Sequence, residues 1–368
     1  MKTRISFGTW EAITVLVNLI FVQVLLSYPQ DMAAFGGSAG WMIPVVSTLL
    51  ILIYFSIIVA LYKNIGSMDL LDISQKVGGK VFMVIMGFLT AGFLFFELST
   101  GLGGFSQVLK MISLDKSPLG FVEILFLLGI ICCAYFGIEA VVRINAFLLP
   151  AAIVGFLLIT IGVIPQFKIN NLLPILGNGY MPVVRGGLYK LSAFSSMIIL
   201  FFLVPFFKSR YIKRVGYMTI LISGLLLFWA TLSFLLLYPY QISAENKVPV
   251  FQMAKHIEFG NFIQRIESVF VLVCSISSLL YLGVIFTFII HIIKKTLSLK
   301  KSRPIILPVA ILALTLSDKL KGMKIDLVNS RLSDLIWLVG LGLPLVILIP
   351  GALKKAGRRI EEGGGGNE

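Results

Sequence analysis

The chain has 368 residues, 58% of them hydrophobic and only 13% charged, with a mean hydropathy of +0.99. That balance excludes a water-soluble globular domain and a disordered chain, and at about 20 apolar residues per crossing it supplies about ten membrane spans. The net charge of +14 does not imply a nucleic-acid partner, because Lys and Arg fall in short clusters between apolar runs and read as topology signals.

Taken in chain order, the apolar runs predict spans over residues 10–27, 41–62, 81–109, 119–137, 144–164, 188–207, 215–237, 266–293, 305–316 and 335–349. The expected fold is therefore an all-α integral membrane protein with about ten transmembrane helices. The first run is long and lacks a small-residue cleavage site, so it is expected to stay as a membrane helix. The ninth is short enough to be either a crossing or a re-entrant segment. Residues 1–352 read as one transmembrane domain, with a first repeat over 6–165, a second over 186–293 and two further helices within 305–350. Residues 353–368, with four consecutive glycines, read as a flexible tail. With the amino terminus inside, 19 of the 31 Lys and Arg lie on the inner side and the first outer loop has none. The clusters 208–214 and 294–303 and the group Lys354, Lys355, Arg358 and Arg359 carry most of this contrast, which predicts both termini to be cytoplasmic. Such clusters also suit the anionic lipid of the bilayer.

Transport folds place a ligand where a spanning helix is interrupted, because unwound backbone frees polar groups that only a ligand, water or protein can satisfy. Span one carries Asn18, Gln23 and Ser27 and meets Pro29 and a run of glycines; span six carries Ser192, Ser195 and Ser196 early and Pro205 late. These are the first helices of two five-helix halves, so broken helices one and six in a five-plus-five inverted repeat are expected. Serines in membrane helices also bond back to their own backbone, which is the competing reading of the same residues.

Glu97 lies mid-span, where a lone carboxylate costs about 2.5–3.5 kcal/mol on insertion scales, so it must face protein, water or a ligand. Ser99, Thr100, Gly101, Gly103 and Gly104 beside it allow close approach of a helix or small molecule. The carboxyl either holds a cationic group or a proton, or is a protonated group bonded to a neighbouring helix. Glu139 and Arg143 stand four apart at the edge between spans four and five, a spacing for an ion pair with a structural or gating role. Arg265 and Glu267, preceded by His256 and Glu258, read as a solvated helix start, and Ser275, Ser277 and Ser278 follow Cys274 within span eight. Cys132, Cys133, Cys274 and two histidines have no metal-ligand spacing, so neither a metal nor another cofactor is expected. No phosphate-binding loop and no nucleophile, base and orienter set occurs, so an enzyme is not expected.

The sequences Gly-Ile-Glu-Ala-Val-Val-Arg at 137–143, Asn-Leu-Leu-Pro-Ile-Leu at 171–176, Tyr238-Pro239 and Arg-Ile-Glu at 265–267, within ten spans, resemble the endospore germination permease family. That family forms the B subunit of nutrient germinant receptors and is similar to amino-acid/polyamine/organocation transporters. The resemblance implies a LeuT-like five-plus-five fold holding a nutrient between spans one, three, six and eight. It also implies A and C subunits as partners and a place in the spore inner membrane. Family members commonly carry Gly-x-Gly before the span-one proline; here those positions are Val22, Gln23 and Val24, so the side chain of Gln23 stands where a backbone cradle would. Span eight often has a Trp near the position of Cys274. The resulting expectation is a subunit that binds an amino acid or similar polar nutrient through Asn18, Gln23, Glu97, Thr100, Ser195, Ser196 and Ser277. Pro29, Glu139, Arg143 and Pro205 are expected in structural or gating roles. A proton- or sodium-coupled amino-acid transporter and an ion channel remain the alternatives.

Overall fold

A computed structural model describes residues 7–62, 68–207, 209–257, 267–322 and 339–353. All regular structure among them is helical. Seven helices are individually long and apolar enough to cross a bilayer, and a bent helix pair at the start makes an eighth. Glu258, Arg265, Lys208 and the positions 354–368, including Lys354, Lys355, Arg358 and Arg359, lie outside the described residues.

Helix α1 (Thr9–Phe21) is buried over every residue from Ala12 to Phe21, the signature of an apolar helix enclosed by others. It tightens into a 3-10 turn, Val22–Leu25, and then breaks: Leu26 leaves helical geometry at φ −90° and ψ −107°. Helix α2 (Tyr28–Gly36) restarts with Pro29 in its first turn, where a missing N–H costs nothing. The two parts meet at a bend of 63°, so span one is broken between Gln23 and Pro29 as expected.

Helix α3 (Met42–Tyr62) shows Val45, Leu49, Ile53 and Ile57 on its outer face, an apolar stripe suited to lipid. Helix α4 (Leu70–Ile112) is 43 residues long and exceeds the expected third span at its start. Its first turns carry Asp72 and Lys76, so hydropathy alone excludes them from a span although the backbone is helical. Gly79 sits within it at φ 75° and ψ −168°, a region essentially reserved for glycine, and kinks the chain between that amphipathic start and the span proper. Helices α5 (Leu119–Phe136) and α6 (Ile138–Gly162) are joined through Gly137 at φ 88°.

Span six differs from span one in the form of its interruption. Helix α7 (Tyr180–Tyr189) runs into a ten-residue 3-10 stretch, Lys190–Ile199, before α8 (Leu200–Leu203) and a final 3-10 turn, Val204–Phe206. The rod is continuous over Tyr180–Phe206 without a sharp bend, so the break is a change of helical winding. Pro205 lies in the last turn, exposed, and is not where the helix changes.

Helix α9 (Ile212–Leu237) packs beside α1 and α3; short helices α10 (Tyr240–Glu245) and α11 (Pro249–Lys255) follow. Helix α12 (Glu267–Thr296) runs along α4 and α6 through the middle of the bundle. Helix α13 (Arg303–Gly322) has 20 residues, against about a dozen in the expected ninth span, because Asp318 and Lys319 continue the helix beyond the apolar run. At 1.5 Å per residue it is about 30 Å long, enough for the hydrocarbon layer. With α14 (Val339–Leu353), a shorter apolar helix, the described residues place helix in each of the ten predicted runs, of which α13 and α14 are not among those long and apolar enough to count as spans; positions 335–338 of the tenth run lie outside the described residues.

Candidate functional site

The interrupted segments of spans one and six face each other across the centre of the bundle, and a side chain ties them. Gln23, in the 3-10 turn that ends the first half of span one, donates from Nε2 to the Ala193 carbonyl in the 3-10 stretch of span six (3.1 Å). A 3-10 winding changes the backbone bonding from i→i+4 to i→i+3 and eclipses side chains three apart. In this stretch it turns the adjacent Ser195 and Ser196 toward α4.

Both hydroxyls meet one carboxylate. Ser195 Oγ donates to Glu97 Oε1 at 2.8 Å and Ser196 Oγ to Oε2 at 2.9 Å. Ser195 also lies 2.7 Å from the Ser192 carbonyl. A hydroxyl has one proton, so Ser195 can serve only one of these acceptors at a time. An ionised Glu97 takes the protons of both serines; a neutral Glu97 can donate to Ser195, which then donates to Ser192. The protonation state of Glu97 thus selects the hydrogen-bond pattern of the 3-10 stretch.

Small residues shape the surroundings. One turn beyond Glu97, a Cβ on Gly101 would stand 3.1 Å from the Tyr281 ring and 3.2 Å from Leu282 of α12, and Gly104 faces Leu26 at the span-one break. Tyr281 is buried and packs edge-on to Phe105 of α4, ring centroids 5.8 Å apart. At the opposite side Gly340 of α14 fits against Ser195 and Phe93, with 2.8 Å between its built Cβ and each. The stretch of span three that carries Glu97 thus touches residues of spans one, six, eight and ten. Tyr281 and Gly340 are absent from the sequence reading: Tyr281 is one of 11 tyrosines with no local motif, and Gly340 contributes only by lacking a side chain.

Asn18 and Ser277 form a second polar contact, between α1 and α12. Asn18 Nδ2 donates to the Ser277 carbonyl at 3.3 Å. Both residues are fully buried, and Asn18 Oδ1 and Ser277 Oγ have no hydrogen-bond partner. An unmet buried polar atom costs roughly 1–3 kcal/mol, so these two oxygens stand unsatisfied within the packed helices. Their neighbours do not: Ser275 and Ser278 bond back to Val271 and Cys274, and Thr100 back to Phe96 and Glu97, all within their own helices. The Thr100 hydroxyl thus lies against backbone carbonyls of its own helix, one turn from the Glu97 carboxylate.

Of the residues expected in structural or gating roles, Glu139 and Arg143 form an i,i+4 ion pair of 2.6 Å on the first turns of α6, with 40% and 63% of their side chains exposed. Exposed pairs of this kind contribute about 0–1 kcal/mol. A more buried ionic cluster lies elsewhere: Lys295 Nζ, at the end of α12, is 2.5 Å from Asp69 and 2.6 Å from Asp72 at the start of α4. The acid pair three residues apart and the Lys294-Lys295 pair are visible in sequence, but their meeting across 226 positions is not. On the other end of the bundle Lys190 pairs with Asp31 at 2.7 Å and lies over the Tyr28 ring. Among the described residues no group of three His, Cys, Asp or Glu could hold a metal ion.

Residues 7–319 match the family described as spore germination protein. This chain belongs to that family. Spore germination protein A2 of Bacillus subtilis (strain 168) is 24% identical over 278 residues, 73% of this chain and 74% of that protein. Spore germination protein YndE of the same organism is 26% identical over 207 residues, 54% of this chain and 55% of its own length. Among solved structures, the nucleobase-cation-symport-1 family transporter Mhp1, in a closed conformation with bromovinylhydantoin bound, superposes with a TM-score of 0.65. The superposition covers 96% of this chain and 94% of the transporter at 11% identity, so this spore germination family member shares that fold.

Proposed function

We propose that the chain is the membrane-embedded subunit of a germinant receptor, binding a small polar nutrient in a transporter-like site and passing a conformational change to partner subunits. The observation that carries this reading is the Glu97 carboxylate held by Ser195 and Ser196 of the rewound span six, beside the break in span one. A carboxylate there suits an ammonium group, and Gln23, Asn18 and Ser277 offer neutral polar contacts of the kind an amino acid needs. Nutrient that displaces either serine from Glu97 would change the bonding of the 3-10 stretch and favour one state of the bundle. Only a difference in affinity between two states can shift their populations. In this reading the A and C subunits of the receptor receive the signal, the complex sits in the spore inner membrane, and both termini are cytoplasmic. The chain acts without catalysis.

The test is germination of spores lacking this chain, and of spores with it restored, against single nutrients. Loss of one response that returns on restoration supports the proposal; survival of every response in the deleted spores counts against it. A second reading, secondary transport of an amino acid coupled to H⁺ or Na⁺, is favoured by the fold shared with Mhp1. Sustained ion-dependent uptake into proteoliposomes containing this chain alone would select it.

A further inference from the structure

At one end of the bundle the six residues from Leu297 to Ser302 join α12 to α13, and Lys300 and Lys301 of this connection and Arg303 at the start of α13 face the outside. Among the described residues none of these three cations has a carboxylate within ion-pair distance; the ion pairs formed there involve Arg143 and Lys295 instead. Arg303 is nevertheless held in place. Its guanidinium lies over the ring of Tyr135, near the end of α5, 4.6 Å from the ring centre. Tyr135 in turn packs edge-on to the exposed Phe136.

The same two helices carry an apolar lane away from the cations. On α13, Leu307 and Ile311 follow Arg303 at intervals of four and share its face; on α5, Leu128 lies two turns back from Tyr135 on the same face. All three are more than half exposed. The surface thus combines unneutralised, pre-positioned cations at one level with an apolar lane below them. The complementary ligand is an anionic head with an apolar tail. A water-soluble acidic segment would match the cations and leave the lane without a purpose.

We infer that the α5/α13 rim is a binding site for an anionic phospholipid, its phosphate held by Lys300, Lys301 and Arg303 and its acyl chain lying along Leu128, Leu307 and Ile311. Arg303, with a planar charge stacked on Tyr135, positions the headgroup, while the two lysines add field. At about fivefold per surface cation, removing all three lowers retention on the order of a hundredfold.

The experiment uses the full purified chain in neutral detergent, with dioleoyl phosphatidylglycerol and dioleoyl phosphatidylcholine as probes, and reads retained lipid by native mass spectrometry. Wild type retains the glycerol lipid in preference to the choline lipid. K300Q/K301Q/R303Q abolishes the preference, and Y135L, which removes no charge, reduces it. R210Q/K213Q/R214Q, which removes three cations at the start of α9, leaves it intact. Equal loss in the two triple variants would overturn the site in favour of a general positive surface. Displacement of the lipid by a hexaglutamate peptide at matching concentration would overturn it in favour of an acidic protein segment. Displacement by inorganic phosphate alone would show that the lane contributes nothing, and overturn it as well. Elution of each variant as a single species establishes that loss of lipid is not loss of fold.

Discussion

Ser196 of span six donates its hydroxyl to Glu97 of span three at 2.9 Å, and among the described residues no other acceptor competes for that proton. Ser195, by contrast, stands between Glu97 and the Ser192 carbonyl. The two serines therefore have different jobs: Ser196 anchors the carboxylate, and Ser195 is free to change partners. Ser196→Ala removes one hydroxyl bond to Glu97, worth about 1.5–3 kcal/mol when that carboxyl is ionised, and is expected to shift the nutrient concentration for half-maximal germination about tenfold or more. Glu97→Gln preserves size but removes the charge and the ability to release a proton, and is expected to abolish the response. Both are scored as germination dose-response curves at matched protein level; an unchanged curve for Glu97→Gln would reduce this carboxyl to a packing element.

The Asn18 side chain gives a sharper separation of function from stability. Its Oδ1 is buried without a partner while its Nδ2 donates to the Ser277 carbonyl at 3.3 Å, so Asn18→Leu relieves one unmet polar atom, gives up one long hydrogen bond and comes out near balance at similar volume. If Asn18 were only structural, the variant would be neutral or stabilising and fully responsive. The expected result is normal abundance, an unfolding temperature close to that of wild type, and a lost or weakened nutrient response. Thermal unfolding of the purified chain and germination of the corresponding spores test the two halves.

Much of this arrangement was legible in sequence, and the reasons for the gaps are specific. The cost of a carboxylate in lipid singles out Glu97, and the serines near the start of span six single out the adjacent Ser195 and Ser196, so a carboxylate and a serine pair far apart in the chain are read separately and meet in space. The break in span one followed from Ser27, Pro29 and the glycines after it. The length of α13 was hidden because hydropathy marks where lipid contact ends, while the helix continues through Asp318 and Lys319. The winding of span six was hidden because 3-10 and α geometry place apolar residues at nearly the same spacing. Local partner choice was legible, since Glu139 and Arg143 stand four apart on one helix and do pair, whereas Asp69, Asp72 and Lys295 form the more buried cluster through tertiary packing that no local spacing reveals.

Gly340 tests whether span ten helps to form the site. Its built Cβ falls 2.8 Å from Ser195 Cβ and from the Phe93 ring, closer than real side chains pack. Gly340→Ala must push Ser195 or the helix aside, an overpacking of typically about 1–3 kcal/mol. Because Ser195 is bonded to Glu97, the displacement is expected to alter the response more than the fold. The prediction is a right-shifted germination curve at protein levels above those of Gly101→Val, which crowds Tyr281 and Leu282 directly. A curve identical to wild type would place Gly340 outside the working site.

The Lys295 cluster joins the end of α12 to the start of α4 and sets the stability of that end of the bundle. Asp69 is the key partner: its side chain is only 4% exposed, its Oδ2 meets Lys295 at 2.5 Å, and its Oδ1 caps the helix by accepting from the Asp72 amide at 2.9 Å. Lys295→Met keeps the apolar stem but leaves a buried carboxylate without its cation, a loss of about 3 kcal/mol or more for such a pair. Asp72 is 40% exposed and its share is small. Adding Asp69→Asn to Lys295→Met removes the stranded charge while retaining an oxygen that can cap the helix. The expected order of unfolding temperatures is wild type highest, the double variant next, and Lys295→Met lowest. If the double variant unfolds no later than Lys295→Met, the stranded charge is not what destabilises the single variant, and the lost bonds of the ammonium itself to Asp69 and Asp72 must account for it.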